Sequence, residues 1–161
     1  MQEKALVVID IQNDITKNYR GIIGNINKAI QWAVDNEIHV IYMQHEYLNE
    51  TARTFRPGTL GTEFAPELKI ASENIFTKHK QNACTCEGFI DFVAENGIRE
   101  FYLAGADATA CIKSTCYNLA KDGYKVTVLS DCITSYSKKK IDEMLNYYRS
   151  KGAQVIELSE L

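Results

Sequence analysis

Three side chains in this 161-residue chain have the types and the placement for covalent catalysis: Asp10, Lys78 and Cys111. Asp10 follows the apolar run Ala5-Leu6-Val7-Val8-Ile9, and Lys78 follows Ile75-Phe76-Thr77. Cys111 comes just after a third such run, Glu100-Phe101-Tyr102-Leu103-Ala104, in the first turn of an expected helix. Cysteine attacks as thiolate, and both a helix start and a neighbouring ammonium favour that form. A carboxylate within reach can take the thiol proton and later return it to a leaving group. Backbone N–H groups between Gly105 and Cys111, free at the helix start, can hold an oxyanion. These are the parts of an acyl-transfer site. Taken singly, each side chain has a plainer role, as a turn Asp, a surface Lys and a small buried Cys. Their meeting at one edge is what makes chemistry.

The elements that must bring them together follow from the hydrophobic pattern. Short apolar runs alternate with amphipathic stretches, the mark of parallel α/β structure. The pattern predicts strands at Ala5–Ile9, His39–Met43, Ile75–Thr77, Glu100–Ala104, Lys125–Leu129 and Gln154–Glu157. Helices are predicted from about Ile22 to Asn36, over Glu87–Asn96 before Gly97, from about Thr109 to Lys121 before Gly123, and over Lys138–Ser150. Both prolines fall between Glu46 and Asn74, which reads as a long functional loop with one short helix near Ala65-Pro66-Glu67-Leu68. The expected fold class is α/β, a three-layer α/β/α Rossmann-like fold with a six-stranded mostly parallel sheet. Residues 1–161 suit a single domain. Ligands of such sheets bind at the carboxyl ends of the strands, where the three reactive side chains fall.

Composition narrows the partners. A net charge of −3 and no Lys run beyond Lys138-Lys139-Lys140 argue against nucleic acid. No stretch approaches the roughly 20 apolar residues of a membrane helix. The start Met1-Gln2-Glu3-Lys4 runs straight into a strand, unlike a signal peptide. Five cysteines, an odd number, read as free thiols in a reducing compartment, so the cytoplasm is expected. Cys84-Thr85-Cys86 lacks the second ligand pair of a structural zinc site, and Gly58-Thr59-Leu60-Gly61-Thr62 lacks the spacing and lysine of a phosphate loop. Arg53-Thr54-Phe55-Arg56 either clamps a substrate carboxylate or forms a solvated or subunit-contact loop. His39 and Trp32 read as packing residues.

Val7-Val8-Ile9-Asp10-Ile11-Gln12-Asn13-Asp14, Phe76-Thr77-Lys78, Gly97-Ile98, Leu103 through Thr115, Gly123-Tyr124-Lys125-Val126 and Ser130-Asp131 stand in order along the chain. That set resembles the isochorismatase-like cysteine hydrolases, which include nicotinamidases. The resemblance implies an Asp–Lys–Cys triad at Asp10, Lys78 and Cys111, and a cis peptide at Ala106-Asp107. It implies that the backbone N–H groups of Asp107 and Cys111 form the oxyanion hole. It also implies a helix-covered parallel sheet and a homo-oligomer, dimer or larger, in which neighbouring loops can complete the site. Nicotinamidases hold a divalent metal through an Asp-x-His pair and a further His. Met43-Gln44-His45-Glu46-Tyr47 lacks that pair, so no metal and no cofactor is expected, with only His45, Glu46 and Glu50 to improvise a site. Ile15 stands where relatives often carry an aromatic residue. Gln12, Ile15, His45 and Arg56 are the expected substrate contacts. The expected function is hydrolysis of a small amide through a thioester. One alternative is vinyl-ether cleavage by Asp10 and Lys78 without the thiol. Another is a non-enzymatic doubly wound module such as a phospho-receiver, which Lys78 after the third strand and Ser130-Asp131 after the fifth disfavour.

Overall fold

The computed structural model describes residues 3–16 and 19–161. Six strands form one sheet: β1 (Lys4–Ile9), β2 (His39–His45), β3 (Ile75–Lys78), β4 (Glu100–Ala106), β5 (Lys125–Thr134) and β6 (Gln154–Ile156). Their order is β3-β2-β1-β4-β5-β6, and every neighbouring pair is parallel. Among the described residues five α-helices connect them: α1 (Asn13–Thr16), α2 (Ile23–Asp35), α3 (Glu87–Glu95), α4 (Cys111–Lys121) and α5 (Ile141–Ser150). None of the described helices is long and apolar enough to cross a membrane.

The run Ala5 to Ile9 has no polar break because both faces of β1 are covered. Ala5, Val7 and Ile9 enter a core with Phe89 and Val93 of α3, Ile112 and Leu119 of α4, and Tyr148 of α5. Leu6 and Val8 point the other way, into a core with Ile23, Ile26, Ala29, Ile30 and Ala33 of α2. The helical spacing read from the sequence is therefore the buried face of α2. Full burial of each large aliphatic side chain contributes about 1.5–3 kcal/mol. The result is the expected three-layer α/β/α fold. Its strand order reverses beside β1, between β2 and β4, which places the ligand-binding crevice at the carboxyl ends of those strands.

Three local expectations are corrected. No helix forms at Ala65–Leu68: Ala65 donates its N–H to the Ile11 carbonyl, and a single turn closes from Leu68 to Ala65. A 3-10 turn lies instead at Leu60–Thr62, and Phe64 bridges to Gln12, so the loop is tied to the exit of β1. The fifth strand does not stop at Leu129. Its register with β4 shifts after Leu103, then Ile133 and Thr134 pair with Gly105 and Ala106. Polar Ser130 and Asp131 read as a strand end, yet Ser130 bonds the Ile156 carbonyl and Asp131 accepts from Leu158 N–H. Helix α4 begins at Cys111 rather than Thr109, because the Asp107 carboxylate takes both the N–H and the hydroxyl of Thr109.

The closest approach of β1 and β4 needs glycine. Gly105 has φ +122 and pairs with Ile9, and a Cβ there would lie 2.1 Å from the Ile9 carbonyl oxygen. Two backbones cannot yield as a side chain can. Gly105→Ala is expected to destabilise the fold by more than about 3 kcal/mol, read as a lowered denaturation midpoint in urea.

Candidate active site

Asp10 ends β1 in the left-handed region, φ +58, which Asp adopts more readily than most residues. Its N–H bonds the Met43 carbonyl, so the turn out of the sheet is anchored to β2. Lys78 ends β3 and pairs in register with His45, the last residue of β2. From there its side chain crosses the end of β2 to reach the Asp10 carboxylate, and both residues are 1% exposed.

The Lys78 Nζ atom lies 3.1 Å from Asp10 Oδ2, 2.7 Å from His45 Nδ1, 3.2 Å from the Lys80 carbonyl and 3.4 Å from Cys111 Sγ. An ammonium only donates, and it has three protons for these four acceptors. The imidazole Nδ1 must therefore accept, which puts the His45 proton on Nε2. Burial, then the charges of Lys78 and His79, lower the His45 pKa to about 3. His45 is neutral at any ordinary pH.

Cys111 opens α4, but its thiol is not activated at rest. Burial pushes its pKa upward, the Asp10 charge adds to this, and Lys78 opposes them. The expected lowering is not the net result: desolvation and the Asp10 charge outweigh the Lys78 ammonium. Burial raises Asp10 as well, against the Lys78 charge and the hydrogen bonds. Asp10 is by nature much the stronger acid and holds the ion pair. The resting site is thus carboxylate, ammonium and thiol. Asp10 Oδ1 is buried without a hydrogen-bond partner among the described residues, leaving one oxygen able to take a proton.

The peptide bond Ala106-Asp107 is cis. The Asp107 carbonyl accepts from Ala110 and Ile112 N–H, and Ala108 N–H bonds Thr134. Tyr148 of α5 donates its hydroxyl to the Ala108 carbonyl. Among the described residues the N–H groups of Asp107 and Cys111 have no partner, as an oxyanion hole requires. The Asp107 side chain accepts from Tyr19 Oη at 2.8 Å, Thr109 N at 2.8 Å, Thr109 Oγ at 2.9 Å and Tyr136 N at 3.1 Å.

Asp10 and Cys111 face a cavity of about 210 Å³. Ile15 and His45 line it, as the sequence suggests, together with Asp14, Tyr47, Phe55 and Tyr136. Phe55 has φ +54, an uncommon conformation for a bulky residue, held by its N–H on Asp14 Oδ2 and its carbonyl on Tyr47 N–H. Gln12 does not reach the cavity. Its amide brackets His45, accepting from the His45 N–H and donating to the carbonyls of His45 and Thr62, so it fixes the end of β2. Arg56 is exposed and outside the lining, while its neighbours Thr54 and Phe55 face inward. The sequence pointed to this segment through Arg56, whereas Thr54 and Phe55 are the side chains that line the cavity. Sequence reasoning missed Tyr136, which lies past the expected end of the fifth strand.

A nicotinamidase-type metal does not fit these residues. Among the described residues the one grouping of three potential ligands is Asp10, His45 and Cys111. Lys78 Nζ lies within 3.4 Å of a ligating atom of each, so a divalent cation there would meet an ammonium. All five cysteines are free, and burial and the Asp122 charge push the Cys84 thiol up to about 11, which disfavours its thiolate.

Fold and site together define a doubly wound α/β protein with a buried Asp–Lys–Cys cluster at its switch point. The isochorismatase domain model matches residues 4–160. An isochorismatase family protein of Bacillus subtilis, YddQ, is 30% identical over 140 residues, covering 81% of this chain and 78% of that one. The chain belongs to the isochorismatase family. Solved structures share its fold. An isochorismatase family protein from Desulfovibrio vulgaris superposes with TM-score 0.90 at 18% identity, over 99% of this chain and 96% of that one. N-carbamoylsarcosine amidase from Thermoplasma acidophilum superposes with TM-score 0.85 at 21% identity, over 97% and 96%.

The neutral His45 has a consequence for stability. Its folded pKa is depressed to about 3, so between there and its unfolded value near 6.5 the unfolded chain binds the extra proton. Its contribution to stability is present above about pH 6.5 and lost as pH falls toward 3. Thermal melts of His45→Gln and the parent from pH 7 to 4 are expected to converge on acidification.

Proposed function

We propose that the protein hydrolyses a C–N bond of a small amide through a thioester on Cys111. The observation that carries this reading is the single buried cluster in which Lys78 contacts both Asp10 and Cys111 at the cavity. Likeness to an amidase fold supports it.

The chemistry follows from the resting protonation state. Asp10 takes the Cys111 proton as sulfur bonds to the carbonyl carbon, and the carbonyl oxygen gathers the negative charge between the N–H groups of Asp107 and Cys111. The C–N bond breaks as Asp10 passes its proton to the departing nitrogen, leaving a thioester. Water then attacks the thioester carbon, giving a proton to Asp10. The C–S bond breaks, the acid leaves, and the proton returns to sulfur. Lys78 stays an ammonium throughout, stabilising the carboxylate and the transient thiolate. A raised thiol pKa suits this cycle, because the proton is removed only when substrate is in place. Ile15 and His45 contact the substrate from the cavity wall.

Ammonia release from a panel of small amides and ureido compounds tests the proposal. Cys111→Ala is expected to lower turnover at least about a thousandfold on any substrate found. Turnover that survives the substitution would instead point to Asp10 and Lys78 acting without the thiol, as in vinyl-ether cleavage.

A further inference from the structure

Among the described residues the charges around the cavity do not cancel. Lys78 is balanced by Asp10 at 3.1 Å. Two more carboxylates line the same cavity, Asp14 and Asp107. His45 is neutral, and no Lys or Arg lines the cavity among the described residues. Arg53 and Arg56 are exposed to solvent. Lys113 borders the adjoining surface cleft, with its ammonium 4.9 Å from the Tyr147 ring centre.

Asp107 is biased toward its anionic form. Burial alone would raise its pKa, yet hydrogen bonds, among them those from Thr109, Tyr136 and Tyr19, outweigh that and lower it. It is 8% exposed and bonded to four donors, so it can neither turn away nor take up a proton cheaply. Asp14 Oδ2 is tied to Phe55 N–H at 2.7 Å, which fixes the second charge.

We infer that the cavity selects amides whose remaining atoms carry no negative charge, neutral or cationic, and that Asp107 and Asp14 set this selectivity. The inference rests on the reading of Cys111 as nucleophile. A substrate carboxylate held here would lose its hydration and face two like charges, with no described Lys or Arg in the lining and Lys78 already paired with Asp10. A neutral amide avoids that penalty, and a cationic one gains from both carboxylates and from the rings of Tyr47, Phe55 and Tyr136.

Alkylation of Cys111 by three reagents of similar size tests the charge preference directly: iodoacetamide, iodoacetate and 2-bromoethylamine. Rates at Cys111 are read by peptide mass spectrometry and divided by those of a small peptide thiol, with Cys86, outside the cavity, as internal reference. Iodoacetate is expected to lag iodoacetamide by about tenfold at Cys111, with 2-bromoethylamine at least as fast as iodoacetamide. Asp107→Asn and Asp14→Asn should each narrow the gap by about threefold. Iodoacetate matching or exceeding iodoacetamide in the parent protein would overturn the inference, and this comparison does not depend on how the variants fold. A gap unchanged in both variants, each folded by circular dichroism, would overturn the assignment to these carboxylates. Cys111-dependent ammonia release confined to carboxylate-bearing amides would also overturn it while leaving amide hydrolysis standing. An intact charge ranking without any amide turnover would count against the proposed function alone.

Discussion

A lysine ammonium buried away from water must find acceptors, and Lys78 organises this protein around that demand. Burying an ion costs several kcal/mol unless charge and hydrogen bonds replace its hydration. The replacements come from four separate places: the turn after β1, the last residue of β2, the backbone at Lys80 and the first residue of α4. Only the order β3-β2-β1-β4 sets these ends side by side. Gln12, bonded three times to the backbone at His45 and Thr62, holds the end of β2 where the imidazole can accept. The packing of the two cores thus delivers its benefit at one crowded edge.

That edge then separates two carboxylates into two roles. Asp10, buried beside the Lys78 ammonium and the Cys111 thiol, is driven toward protonation, and its Oδ1 has no hydrogen-bond partner among the described residues. Asp107, saturated by hydroxyl and amide donors, is driven the other way and cannot easily exchange a proton. Environment, not residue type, sorts a proton carrier from a fixed charge. The same logic explains a thiol that rests protonated beside an ammonium. Its low-dielectric setting penalises the thiolate more than one nearby cation rewards it.

The cavity wall depends on parts that have little local regularity. Asp14, in the short α1, holds Phe55 in a left-handed conformation across about forty residues of chain, and Tyr47 takes the Phe55 carbonyl. The continuation of β5 past its register shift brings Tyr136 to Asp107. Tyr19 reaches the same carboxylate from just before α2. One side chain, Asp107, therefore joins two distant segments to the point where the chain turns into Cys111.

Much of this was legible in the order of residues. Two-sided apolar runs such as Ala5 to Ile9 and the 3.6-residue spacing of Ile23, Ile26, Ala29, Ile30 and Ala33 determine strands, helix and layer architecture, because burial follows period. The placement of Asp10, Lys78 and Cys111 after strands was likewise sufficient to single them out, since strand ends converge in a doubly wound sheet. Protonation states were not legible, because they depend on desolvation and on distances of a few ångströms. Nor were the side chains of the cavity: Arg56 and Phe55 are neighbours in sequence, and only the left-handed turn at Phe55 decided which faces inward. Sequence determined which residues could react. Tertiary structure alone decided their charges and what surrounds them, because both arise from contacts between segments far apart along the chain.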